Sequence, residues 1–185
     1  MDAHIEGSLL QLTSIAQDLP EFAGRLSAAQ FNWRPSPERW SVGQCVEHLN
    51  ITTERYLPVL DQQIGVARTR GHAGGRPFTM GILERAFYWM LEPPVKTRVK
   101  APKAFHAPPD LPVEATVTRW HQLHERLAEC LRSADGVDLG ATKVKSQFGP
   151  VSFTLGGTFS ILLAHERRHT WQARQVLNHP GFPRA

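Results

Sequence analysis

The chain has only two cysteines in 185 residues, Cys45 and Cys130. Two cannot build a disulfide framework, and a chain of this length can bury a core without one. Both sit among apolar neighbours in helix-like segments, so buried free thiols in a reducing compartment are expected. No apolar run approaches the length that spans a bilayer, so no membrane segment is expected. The opening residues, Met1-Asp2-Ala3-His4-Ile5-Glu6, carry acids where a secretion signal needs positive charge, and a cytoplasmic location is the expectation. A dense basic surface is missing too. The net charge of +4 is dispersed, with only short groups such as Lys96 to Lys103, so no nucleic-acid partner is expected. There is no internal repeat and no low-complexity tract. Strand-like alternation is nearly absent over any useful length.

What is present is helical periodicity. Ile5, Leu9, Leu12 and Ile15 predict an amphipathic helix over residues 3–18, with Pro20 opening a short second piece and Ser27 capping another turn. Phe31-Asn32-Trp33-Arg34-Pro35-Ser36-Pro37 reads as an extended connection, because each Pro biases its predecessor away from helix. Ser41 and Gln44 form a capping box, from which a long helix should run to about residue 68, kinked at Pro58. The chain should break from Gly71 to Pro77 and turn helical again over 79–91. Residues 92–112 hold six prolines and read as a long irregular crossover. A helix over 113–133 follows. Then comes a loop from Gly136 to Pro150, with an extended stretch around Val144 allowed. Last is a helix capped by Ser152 that ends near Leu177. Four main helices with short extras make an all-α bundle with at least one long crossover, folded as one domain over 1–185 with its core at about 5–178.

The last helix carries His165-Glu166-Arg167-Arg168-His169. Two histidines four apart stack on one helix face and suit a shared metal ion. The run also matches the H-E-x-x-H pattern of zinc proteases, whose Glu is the general base. A zincin needs a further ligand downstream. The sixteen residues after His169 contain no Asp or Glu, position 175 is Gln175, and His179 lies in a Pro/Gly-rich tail. The protease therefore ranks third among the readings, and a third ligand must come from upstream. The candidates are His4, His48, His72, His106, His121 and His124. His121 and His124 form the main rival pair, although their spacing also suits a polar surface strip. His48 lies two turns into the helix capped by Ser41, at the border of its apolar stripe, with Gln44, Thr52 and Arg55 alongside.

Trp40-Ser41-Val42-Gly43-Gln44-Cys45-Val46-Glu47-His48-Leu49, followed far downstream by His165-Glu166-Arg167-Arg168-His169-Thr170-Trp171-Gln172, resembles the DinB/YfiT-like superfamily. The 31–37 lead-in and the Pro- and Lys-rich segment 93–109 are similar to one branch of it, so the resemblance covers nearly the whole chain. It implies a DinB-like four-helix bundle, often a homodimer. It also implies a triad of His48, His165 and His169 holding one divalent metal ion. Related members are thiol-dependent transferases and isomerases using low-molecular-weight thiols, and others are described as metal-dependent hydrolases.

Three imidazoles leave open positions on a metal, the pattern of a catalytic rather than a structural site. Such an ion activates water or a thiol as a nucleophile. A thiol co-substrate, or water, attacking a small-molecule electrophile is the leading expectation. A non-catalytic metal-binding or ligand-binding module is the alternative. Three His suit zinc, nickel, iron or cobalt alike. Glu166 and Arg168 flank the His face and are candidates to support the ligands, with an exposed ion pair or a structural pairing as their plainer roles. Gln44, Thr52, Arg55 and Gln172 are the candidate substrate-binding residues. Trp33, Trp40 and Trp171 read as packing anchors, and Cys45 as a small core residue.

Overall fold

The computed structural model describes residues 1–71, 74, 77–95 and 101–184. The expected break at Gly71–Pro77 and the basic group from Lys96 to Lys103 fall partly outside these residues, and His72 wholly so. Among the described residues six helices carry the fold: α1 (Ala3–Ala23), α2 (Ala28–Asn32), α3 (Val42–Thr69), α4 (Ile82–Leu91), α5 (Val113–Ser133) and α6 (Leu155–Leu177). A 3₁₀ turn at Lys103–Phe105 and a hairpin of β1 (Lys143–Lys145) and β2 (Ser152–Thr154) complete it.

The capping box predicted at Ser41 forms as expected. The Gln44 N–H donates to Ser41 Oγ (3.1 Å), and the Ser41 N–H donates to Gln44 Oε1 (3.2 Å). From there α3 runs on through Pro58, whose ring lies on the exposed side. Two elements differ from expectation. Helix α1 continues through Pro20 to Ala23, because Leu19 and Ala23 extend the buried stripe of Ile5, Leu12 and Ile15. Burial there outweighs the one backbone bond that Pro20 forfeits. Ser152 does not cap α6. It pairs with Lys145 in the hairpin, which buries Val144 and Phe153, and Thr154 caps instead by accepting from the Gly157 N–H (3.0 Å). The extended stretch around Val144 is strand β1.

Cross-links between helices fix their directions. Asn50–Thr116, Arg119–Glu54, Arg126–Asp61 and Arg68–Ser133 climb together, so α3 and α5 run parallel. His4–Gly156, Gln11–Arg167 and Asp18–Arg174 make α1 and α6 parallel as well. Asp2 meets Asp135 just past the end of α5, so α1 opposes α5. The bundle is therefore up-down-down-up, with α1 and α3 each packed on both α5 and α6. Two consecutive parallel long helices require a crossover, and α4 with the proline-rich segment after it supplies it. The core draws on all four long helices, with Trp120, Phe31, Phe159 and Leu60 among its sealed side chains.

Helix α4 is held on α6 by a buried carboxylate. Glu84 accepts from the Thr154 N–H (2.6 Å) and hydroxyl (2.7 Å) at the start of α6, and from the Gly81 N–H (2.9 Å) at its own helix start. Gly157 leaves room for it: a Cβ there would lie 2.5 Å from Glu84 Cδ. Burial alone would raise the Glu84 pKa, but the donors and Lys143 together hold it below the usual range. A negative group at a helix N-terminus also suits the helix dipole.

Candidate metal centre

Three imidazoles converge inside the bundle. His48 comes from the second turn of α3, and His165 and His169 from successive turns of α6; they are only 1%, 6% and 7% exposed. One ring nitrogen from each lies within 4.8 Å of the others, and His48 Nε2 is 3.1 Å from His165 Nε2. The His48 Nδ1–H donates to the Phe105 carbonyl (2.7 Å), which leaves Nε2 as the lone-pair nitrogen facing the other two rings. His165 Nδ1 and His169 Nδ1 have no hydrogen-bond partner among the described residues.

Burial holds His165 and His169 well below the usual histidine range, and their neighbours His48, His165 and Arg168 add to it. Gln172, hydrogen-bonded to His169, pulls weakly the other way. His48 is lowered too, by burial, against the opposing pull of the Phe105 carbonyl and Glu166. Three neutral imidazoles with inward lone pairs are the state that ligates a cation. Without an ion, His165 Nε2 and His48 Nε2 share one proton between them, whereas a divalent ion would take a lone pair from one nitrogen of each ring. The residues fit a metal.

An aromatic cover closes over the triad from three separate segments. Trp40 stacks on His169 (5.5 Å between centroids, 22° between planes) and tilts against His48 (4.8 Å). Phe148, in the hairpin loop, sits 5.6 Å from His165 and 4.5 Å from Phe105. The loop is pinned where Tyr56 accepts from the Gln147 N–H (3.1 Å). Phe105 arrives on the crossover and carries the Arg55 guanidinium over its ring (5.0 Å). Two surface cavities, about 570 Å³ along α4 and about 510 Å³ between α1 and α6, are lined by other residues.

The remaining candidates fall in varied places. Gln44 is committed at both ends, accepting at its cap and donating to the Ala107 carbonyl (3.5 Å). The Thr52 hydroxyl donates to the His48 carbonyl within α3 (2.8 Å). Arg55 is exposed at the rim of the cover. Arg168 is buried and donates to the Met90 carbonyl at the end of α4 (3.1 Å), whereas its neighbour Arg167 pairs with Glu92. Glu166 is buried rather than an exposed ion pair: it accepts from the Thr53 hydroxyl (3.3 Å) and lies 3.4 Å from His124 Nε2. The His121/His124 pair divides across α5, with His121 exposed and His124 in the core, so the two do not form a surface strip. His4 reaches the Gly156 carbonyl at the start of α6, and His106 is exposed and donates to the Ala101 carbonyl. Cys45 is sealed in the core, where burial pushes its thiol up, and Cys130 is pushed up to about 12. Trp33 packs on His179 and Phe182 of the tail.

Sequence reading missed Phe105 and Phe148. The first acts through a backbone carbonyl and the second through a loop of no helical period, so neither leaves a side-chain pattern to find. The burial of His124 did have a signal: it shares the stripe of Trp120, Leu127 and Leu131.

No curated protein matches the chain. Among solved structures, YfiT from Bacillus subtilis superposes with a TM-score of 0.63 at 15% identity, over 97% of this chain and 89% of that one. YfiT is described as a probable metal-dependent hydrolase with an unusual four-helix bundle topology; at that identity the likeness is one of fold. The DinB superfamily profile matches residues 11–173, and the chain belongs to the DinB superfamily.

Proposed function

We propose that this protein is a metal-dependent enzyme that holds one divalent cation on His48, His165 and His169, and that it directs a low-molecular-weight thiol or water onto a small electrophile. The observation that carries the reading is the convergence of three neutral, buried ring nitrogens within 4.8 Å. The hydrolase form of the proposal also draws on the description of YfiT. When bound, a divalent ion supplies Lewis-acid activation of the nucleophile.

The chain's own residues do the rest. The Phe105 carbonyl keeps the proton of His48 on Nδ1, so that Nε2 stays available. Trp40, Phe105 and Phe148 exclude bulk water, which strengthens electrostatic interactions beneath them. Arg55 offers a cation at the rim for an anionic group on the substrate. Glu166 is not placed as a zincin base, because its carboxylate is engaged by Thr53 and His124. Zinc, nickel, iron and cobalt all suit the ligands. A homodimer acting in the cytoplasm completes the proposal.

The second reading, a non-catalytic metal-binding module, draws on the closed cover of Trp40, Phe105 and Phe148 over the triad. Metal content by mass spectrometry, on protein purified without a His-tag, tests the proposal. About one ion per chain in the wild type, mostly lost in His48→Ala, is the expected result. No ion in either after reconstitution overturns it. Exchange of a metal-coordinated water, seen by relaxation with a paramagnetic ion, separates the enzyme from the module.

A further inference from the structure

Beside the triad lies a buried polar cluster that the proposed chemistry does not use. Glu166 follows His165 on α6 and is 2% exposed. Its Oε1 accepts from the Thr53 hydroxyl on α3, and its Oε2 lies 3.4 Å from His124 Nε2 on α5. The His124 Nδ1–H donates to the Trp120 carbonyl one turn back (2.8 Å), and its ring packs on the Trp120 indole with centroids 3.7 Å apart. Neither Glu166 Oε2 nor His124 Nε2 makes a hydrogen bond among the described residues, and their 3.4 Å approach is an ion pair when the ring is protonated. Three helices therefore meet at one carboxylate. Apolar residues of the same volume serve stability as well or better. What a polar contact adds is direction: it holds one register between helices that apolar ridges alone leave free to shift.

Register matters one residue away. Metal-ligating histidines are usually oriented by a hydrogen bond on the second ring nitrogen. Here His48 has one and the α6 pair has none on Nδ1. Apart from the Gln172 contact to His169 from within α6 itself, the placement of His165 and His169 is left to the ring packing and to where α6 sits against α3. A slip of one residue, about 1.5 Å along the axis, separates the 3.1 Å approach of His48 to His165.

We propose that Thr53, His124 and Glu166 are positioning residues, a register lock that holds the α6 imidazoles against His48. The metal readout of this proposal rests on the metal-centre reading above; its metal-free readout does not.

The test compares His124→Phe, Glu166→Leu, Glu166→Gln and the double variant His124→Phe/Glu166→Leu with the wild type. Co²⁺ and Zn²⁺ affinities, the visible spectrum of the Co²⁺-loaded protein, the melting temperature and the imidazole ¹⁵N spectrum without metal are measured. His124→Phe and Glu166→Leu should each weaken metal binding by about 10–100-fold and alter the Co²⁺ spectrum. Glu166→Gln keeps an acceptor for Thr53 and newly offers an amide N–H to a neutral His124 Nε2, so it should stay within about threefold of wild type, by the same reasoning. The double variant removes the buried carboxylate and ring together and leaves only the Thr53 hydroxyl of the cluster without its partner. It should regain melting temperature but not affinity or spectrum. Affinity and spectrum returning with stability in the double variant would show packing alone and overturn the proposal.

If the wild type binds no metal, the metal-centre reading fails, and the metal-free spectra decide the lock. With His48 Nδ1–H held by Phe105, His165 must donate from Nε2 across the 3.1 Å contact. Loss of that tautomer pattern in the double variant supports the lock, and its persistence overturns it. Should His124→Phe fail to fold, the contrast between Glu166→Gln and Glu166→Leu carries the same decision.

Discussion

Without metal, the triad should make the protein acid-sensitive as pH falls through the histidine range. His165 and His169 have folded pKa values pushed well below the ordinary value, by burial first and then by the neighbouring imidazoles and Arg168. In the unfolded chain they titrate near 6.5. A lowered histidine favours the folded state above the unfolded pKa, and that advantage is lost as pH falls through 6.5 and on toward the folded value. In that window the unfolded chain binds protons that the folded one excludes. The linkage slope approaches about 1.4 kcal/mol per pH unit for each such ring and about 2.7 for the two, a loss of about 3 kcal/mol between pH 6.5 and pH 5 and of about 4 between pH 7 and pH 5. That is a large part of the 5–15 kcal/mol typical of a domain. Urea unfolding of metal-stripped protein at pH 7 and pH 5 should show the midpoint fall by about 2 M. Saturating zinc at pH 7 should raise the midpoint, since a ligand of the native state stabilises it. A metal-free midpoint that is flat or rises between pH 7 and pH 5 refutes the claim that the rings are buried and neutral.

Three further outcomes are expected. Glu84→Ala strips the acceptor from the Thr154 and Gly81 donors and should cost about 2–3 kcal/mol, read as a melting-temperature drop of about 5–10 °C; because the Glu84 pKa is lowered in the fold, its contribution is lost only as pH falls through the folded value, below the histidine window. Gly157→Ala drives a methyl to 2.5 Å from Glu84 Cδ and should destabilise by about 1–3 kcal/mol, and combining it with Glu84→Ala should cost less than the sum of the two, as chemical denaturation would show. Phe148→Ala removes the ring over His165 and should speed metal loss to a chelator at least tenfold, a flag of roughly 1.4 kcal/mol on the exit barrier; an unchanged stopped-flow rate means that metal leaves by another route.

The helices were legible where burial and capping agree. Ser41 and Gln44 announce α3, and the apolar stripes announce α1, α5 and α6. Boundaries went astray where tertiary packing overrode a local signal, as at Pro20, where Leu19 and Ala23 hold the turn, and at Ser152, where pairing with Lys145 displaces a plausible cap by two residues. The site divides the same way. His165 and His169 declare each other through helical spacing, but the wheel leaves six upstream histidines open. Only the family resemblance singles out His48 firmly, and the fold then brings its Nε2 to 3.1 Å from His165. The Phe105 carbonyl and the Phe148 ring come from segments without period, so their roles appear only once the chain is folded.

The topology and the site are linked by the crossover. Because α3 and α5 run parallel, the chain must travel the length of the bundle between them, and it returns to the start of α5 beside the start of α3. His48 lies two turns into α3, within reach of that returning segment. The proline-rich run before α5 is thus held at one end by Gln44 on the Ala107 carbonyl and by Asn32 on the Leu111 backbone, and it delivers the Phe105 carbonyl to His48 and the Phe105 ring to the cover. An up-and-down bundle with short loops has no segment to spare for this. Its triad would stand open at the bundle end, and His48 would have no fixed tautomer. The crossover is therefore a working part of the site, and the rigidity of its anchors sets how readily the covered nitrogens meet solvent. Asn32→Ala should loosen the strap at Leu111 and raise metal exchange while leaving the bundle's helicity intact. Equal exchange rates in Asn32→Ala and wild type would separate the strap from the site and restore the plainer view that it only joins two helices.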